Sequence, residues 1–303
     1  MSGAALTRVL PPPATTRRAA VEAARLPAAL GVVWFHMQAP GWRIACGALG
    51  LFIILAVVFA AGAVARQGRA AFLRGRLARL APPWLFWSGF YLATTAALLR
   101  DPLAALTPAS PRAFLIGGAL HLWFLPFLLL ASGLVALVAP ALRARRGFAA
   151  LFMVALPLAV GCFWAQAALS PPAPFAQWAF GLPCVLYALL AARDGEGAPA
   201  RLGFLALVAA GAFALGARED IGPFLITALG FELVWRLGPR GGWLAAGSGC
   251  AFGVYLLHPF FILVYHKLLA GDGRSPEAVL LVFAASFLAT AALRRVPSMR
   301  RFL

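Results

Sequence analysis

Val21-Glu22-Ala23-Ala24-Arg25-Leu26-Pro27-Ala28-Ala29-Leu30-Gly31-Val32-Val33-Trp34-Phe35-His36 reads as most of one membrane-crossing helix, with Arg25 and His36 set into its apolar run. A helix turns about 100° per residue, so eleven steps return His36 to nearly the face of Arg25, roughly 16 Å further along the axis. Ionisable groups are costly in hydrocarbon, and those that persist face a bundle interior or a polar cavity. One cation towards one membrane face and one imidazole towards the other, on a shared stripe, point to a site that spans the bilayer.

The rest of the chain has the composition this reading needs. It is 63% hydrophobic and 12% charged, with a mean hydropathy of +0.88. Those values belong to a polytopic membrane protein, not to soluble domains. A net charge of +17 would suit nucleic acid if it were gathered in one basic domain. The arginines instead lie between apolar segments, so no nucleic-acid partner is expected and they read as topology signals. Cys46, Cys162, Cys184 and Cys250 fall in apolar stretches without ligand-type spacing and read as small packing residues; no metal site is expected.

A crossing needs about 20 mostly apolar residues, and that ruler finds roughly ten segments. They are 21–41, 44–65, 82–99, 119–140, 148–169, 175–192, 202–217, 221–237, 243–266 and 276–294. The predicted fold is all-α, a polytopic transmembrane helix bundle of about ten spans. Residues 21–294 form its single domain, and 1–20 and 295–303 are cytoplasmic tails. With the N-terminus inside, only Arg43, Arg100, Arg112, Arg218, Lys267 and Arg274 fall on the outer side. The remaining basic residues, apart from Arg25 within the first span, fall on the inner side, as the positive-inside rule requires.

This topology puts all four histidines, His36, His121, His258 and His266, on the outer side of the midplane. Imidazole titrates near neutral pH and is a common general acid or base. His266, beside Lys267, reads as an interfacial residue. His36 reads as chemical because Arg25 shares its stripe, while His121 and His258 admit a structural and a chemical reading equally. On the inner side Arg74, Arg76 and Arg79 precede Pro82-Pro83-Trp84. Arg76 and Arg79, one turn apart, are suited to phosphate oxygens, although positive-inside charge or contact with anionic lipid also accounts for them. Glu232 and Arg236 have i,i+4 spacing and read as a structural pair.

The residues of this pattern resemble the acyltransferase-3 family of bacterial membrane acyltransferases. Arg25 through His36 is similar to that family's first-helix Arg-(ten residues)-His signature. Phe72-Leu-Arg74-Gly-Arg76-Leu-Ala-Arg79-Leu-Ala-Pro82 resembles its basic segment before the third span. His121-Leu-Trp123-Phe124-Leu125-Pro126 resembles its fourth-span motif, and Tyr255-Leu-Leu-His258-Pro259 its late Tyr-Leu-x-His-Pro motif. There are departures. The second span lacks the family's Ser-Gly element, reading Phe52-Ile-Ile-Leu55-Ala56-Val57-Val58, and Glu22 stands where an Asp is common.

The resemblance implies O-acyl transfer, commonly of acetyl, to a hydroxyl of a cell-surface or secreted carbohydrate or glycolipid, in the bacterial cytoplasmic membrane. It implies acyl-coenzyme A, acetyl-coenzyme A above all, as a co-substrate and no permanently bound cofactor. Membrane lipids are the remaining partners. Arg25, Arg76 and Arg79 would hold the donor's phosphates. His36, with Arg25, would carry the chemistry as base, nucleophile or anchor. His121, Tyr255, His258, Trp34 and Trp123 would contact the substrate. Two other classes fit the same composition: a transporter or flippase of a lipid or glycoconjugate, and a degenerate accessory subunit, which the altered second span would explain.

Overall fold

In the computed structural model, residues 16–99, 113–193, 197–237, 247–269 and 272–303 are described. The predicted N-terminal tail up to residue 15 and residues 243–246 of the ninth predicted segment lie outside them. Among the described residues every regular element is helical. Ten helices fall on the predicted segments: α1 (Thr16–His36), α2 (Gly47–Gln67), α3 (Arg69–Leu99), α4 (Phe124–Val138), α5 (Arg145–Leu169), α6 (Phe175–Ala191), α7 (Gly197–Ala214), α8 (Arg218–Leu237), α9 (Ala251–Leu268) and α10 (Pro276–Leu293). Among the described residues, five stretches are long and apolar enough to cross a membrane: Trp42–Gln67, Leu120–Val138, Arg145–Leu169, Ala251–Leu268 and Pro276–Leu293. Large apolar side chains such as Leu137, Met153 and Leu288 point outward from these helices, where a bilayer, not water, is the compatible solvent.

Of the boundaries that differ from the predicted spans, three shape the site. The first helix stops at His36, not residue 41, because Gln38 and Gly41 take left-handed backbone conformations (φ 54° and 80°), a common way to end a helix. The third helix is much longer than 82–99. It runs unbroken from Arg69 through Pro82 and Pro83, so the basic segment and the apolar span are one rod despite two missing ladder hydrogen bonds. The fourth span is divided. A 3₁₀ turn, Leu120–Trp123, precedes α4, and Pro126 lies in the first turn of α4, where no backbone N–H is needed.

The long α2 stands at the centre, packed on α1, α3, α4, α6 and α8. Small residues bring these helices close, as is usual where lipid removes the hydrophobic drive between helices. At Gly50 an added Cβ would lie 2.8 Å from Thr227 of α8 and 3.1 Å from Cys184 of α6. Thr227 Oγ1 donates towards the Gly47 carbonyl (2.7 Å) and the Pro223 carbonyl (2.8 Å). α9 and α10 form a second packed unit against α1, with Ala29 and Val33 meeting Ala251, Val254 and Val279. The C-terminal residues turn back onto α3. Trp87 Nε1 donates to the Phe302 carbonyl at 2.8 Å, and Phe86 stacks on Phe302.

One close approach fixes the segment before α4. A Cβ on Gly118 would fall 2.1 Å from the Ser88 carbonyl oxygen of α3. Backbone cannot yield there as a flexible side chain would. Gly118→Ala is expected to cost about 1–3 kcal/mol through overpacking, read as a lowered melting temperature of the detergent-solubilised protein. An unchanged melting temperature would show that this contact is slack.

Candidate functional site

The end of α1, the 3₁₀ turn before α4 and the second turn of α9 converge, and each delivers a histidine. The His36 and His258 ring centroids are 4.9 Å apart, and those of His121 and His258 are 5.5 Å apart. His258 is fully buried and His121 is 5% exposed, while His36 is exposed. The cluster is therefore layered, with two enclosed imidazoles behind one open one. Among the described residues no group of three or more His, Cys, Asp or Glu has a geometry that could hold a metal ion.

Two tyrosines pin the cluster. Tyr255 Oη donates to the backbone carbonyl of His121, tying α9 to the 3₁₀ turn. Tyr91 of α3 donates to the Leu256 carbonyl at 2.6 Å and sets its ring against His121, with centroids 4.9 Å apart. Tyr91 had no place among the sequence candidates, because a lone tyrosine in an apolar span reads as an interfacial residue. Its fixed hydroxyl and edge-on ring hold His121 in place beside His258.

Buried polar atoms without a partner concentrate here. Nε2 of His121 and Nε2 of His258 are both enclosed and unbonded. So are Trp84 Nε1 and Ser88 Oγ, which lie seven and three residues before Tyr91 on the same face of α3. Buried polar groups are nearly always hydrogen-bonded in folded proteins. On α3 that face is covered by Gly117, where an added Cβ would lie 2.3 Å from Ser88 Oγ and 3.2 Å from Trp84 Nε1, whereas the two histidine nitrogens lie behind the open ring of His36.

The inner part of the stripe is also in view. Gly31 of α1 packs on Ala48 of α2, with an added Cβ 2.6 Å from the alanine's. Six residues inward along each helix of this hairpin bring Arg25 level with Ile54. Arg76 of α3 donates through Nη2 to the Ala56 carbonyl at 3.1 Å and lies over the Phe72 ring. By that register the backbone of Arg25 lies at the height of Ile54, within two residues, about 3 Å, of the carbonyl that Arg76 holds. Arg25 is half-buried, Arg76 is half-buried and Arg79 is exposed. Glu22 lies in α1, but its side chain is outside those described. Between Arg25 and His36 the stripe is occupied by Ala29 (0% exposed) and Val32 (3%), which pack it closed.

The other candidates have contacts of their own. Trp34 Nε1 donates to the Pro40 carbonyl at 2.8 Å and so holds the turn after α1. Trp123 is buried against Phe124 and Phe127. His266 is exposed, two turns beyond His258 along α9. Glu232 proves to be more than the partner of Arg236. It receives Arg201 Nε (2.5 Å) and Nη2 (3.0 Å) in a two-pronged pair, Tyr187 Oη (2.6 Å), and Arg236 only at 3.4 Å. Arg201 and Tyr187 escaped sequence reading because Arg201 counted as an inner-side topology charge.

A family profile described as an acyltransferase domain matches residues 18–295, nearly the whole chain. No curated protein and no solved structure matches it.

Proposed function

The chain belongs to the acyltransferase-3 family, and from that premise we propose that this membrane protein moves an acyl group from cytoplasmic acyl-coenzyme A to a hydroxyl of a carbohydrate or glycolipid at the opposite face. Acetyl is the simplest donor group. On this reading the bundle crosses the membrane ten times with both ends cytoplasmic. The observation that carries it is the histidine cluster, in which His36 is open beside two enclosed imidazoles and lies roughly 16 Å along α1 from Arg25.

The donor's phosphates sit against the guanidiniums of Arg25 and Arg76, with Arg79 outside them. An extended acyl-pantetheine arm then runs along the stripe towards His36. The acceptor hydroxyl approaches from the outer end. As its oxygen attacks the thioester carbon, its proton passes to a ring nitrogen of His36, the C–S bond breaks, and the thiolate leaves and recovers that proton. The products are an ester and free coenzyme A. His121 and Tyr255 frame the site, and the fixed geometry of α1, α3 and α9 keeps the reacting groups aligned.

The direct test is release of coenzyme A from acetyl-coenzyme A by the purified protein in lipid nanodiscs. The acceptor is surface glycan extracted from a strain lacking the gene. Acceptor-dependent release with a matching mass gain on the glycan supports the reading, and absence of both with acetyl, propionyl and succinyl donors overturns it. Arg25→Ala and Arg76→Ala are each expected to raise the donor KM about ten- to hundredfold, since a hydrogen bond to a charged group contributes about 1.5–3 kcal/mol. An unchanged donor KM in both variants would remove the arginines from the donor site.

A further inference from the structure

The pair His258-Pro259 contains a hydrogen-bonding device. In an unbroken helix the N–H of residue 259 would bond to the carbonyl of Tyr255, four residues back. Proline has no N–H, so that carbonyl is left over. His258 takes it: its Nδ1 lies 2.7 Å from Tyr255 O, with Val254 O further off at 3.3 Å. A carbonyl oxygen only accepts, so Nδ1 carries the proton. In the neutral ring Nε2 is then an unprotonated acceptor, and it is buried with no partner.

Of the two imidazoles beside it, His36 has the closer ring centroid, 4.9 Å against 5.5 Å for His121. Two imidazoles joined by one N–H···N bond have centroids about 5 Å apart; these stand at 4.9 Å with planes inclined by 42°, and since Nε2 of His258 has no partner as the rings stand, a turn of the exposed His36 ring is the step that makes the bond. We propose that His258 is a positioning residue for acyl transfer. Its Nε2, held as an acceptor by the proline-released carbonyl, takes the N–H of His36 and so leaves the other nitrogen of His36 unprotonated towards the acceptor hydroxyl. The inference rests on the acyltransferase reading and deepens it. An orienting carboxylate does the same for the histidine of serine hydrolases; here a second imidazole supplies the acceptor, and no charge is buried. When His36 receives the substrate proton, the imidazolium still donates to His258 and loses the proton to the departing thiolate, so no net proton is stored. The titratable groups facing His258 are His36 of α1, His121 before α4 and Tyr255 of α9 itself.

Two substitutions separate this role from a structural one. In His258→Asn the amide N–H occupies the Nδ1 position and keeps the bond to Tyr255, but nothing replaces Nε2. In His258→Gln the amide oxygen reaches the Nε2 position and can accept from His36. Initial rates of coenzyme A release from acetyl-coenzyme A, with the unacylated glycan extract as acceptor, are compared with wild type and His36→Ala. Asparagine is expected to slow transfer about hundredfold and glutamine less than about tenfold, the range seen when orienting partners are removed. Asparagine equal to or faster than glutamine overturns the positioning role, whereas no transfer by wild type overturns the acyltransferase reading itself. If the glutamine variant does not insert at wild-type abundance, His258→Ala is assayed with and without free imidazole. Restored rate, absent from His36→Ala under the same treatment, supports the proposal, and no restoration overturns it.

Discussion

Alanine at His36 is expected to lower acyl transfer to the glycan by about 10²–10⁴-fold, the contribution of a positioned general base, while leaving insertion and thermal stability unchanged. Both halves of that expectation come from the geometry. His36 is the last residue of α1 and is exposed, so removing its ring opens no core cavity. Among the described residues no backbone group is held by its ring, whereas the buried His258 bonds to the Tyr255 carbonyl. The loss should therefore appear in kcat, with the donor KM little altered because the arginines are untouched. Mass spectrometry of the surface glycans from cells expressing the variant reads the result. A normal acyl mass on those glycans, at equal protein abundance, removes His36 from the chemistry.

The opposite behaviour is expected at Glu232. Its side chain is 5% exposed, and its principal partner Arg201 is 12% exposed. Three helices meet on its carboxylate: α6 through Tyr187, α7 through Arg201 and α8, which carries Glu232 itself. Glu232→Leu leaves the guanidinium of Arg201 and the hydroxyl of Tyr187 without a partner in an enclosed place. Breaking one side of a buried pair costs about 3–5 kcal/mol, so a marked fall in melting temperature is expected. Glu232→Gln keeps acceptors for both partners and should fall less. Replacing both ends, Arg201→Met with Glu232→Leu, should recover most of the loss, since two apolar side chains satisfy each other. A double variant as unstable as the single one would show that Tyr187, not the ion pair, dominates.

These two residues also show what a sequence can reveal here. His36, His121 and His258 stood out because each is a rare ionisable group in an apolar run, and the direction of each span assigned them one depth. The fold then brings all three into one cluster. Neither Tyr91 nor Arg201 was legible in that way. The bond from Tyr91 is to a backbone carbonyl 165 residues on, and a carbonyl leaves no mark on composition. Arg201 sits at the start of a span, where an arginine satisfies the topology rule whether or not it has a partner. The long α3 was hidden for a local reason. Two consecutive prolines usually end a helix, but packing against α2, α4 and the returning C-terminus carries this one through.

The closed middle of the Arg25–His36 stripe has an electrical meaning. A cell membrane is an insulator, and a potential of 100 mV is worth about 2.3 kcal/mol for every elementary charge that crosses it. A protein offering reactants from both faces a common meeting point risks becoming a wire for protons. Ala29 and Val32, both enclosed, act as a gasket in that wire. One is a single methyl and the other a branched pair, and neither can donate or accept a proton, so their packing interrupts any hydrogen-bonded path between the two ends of the stripe.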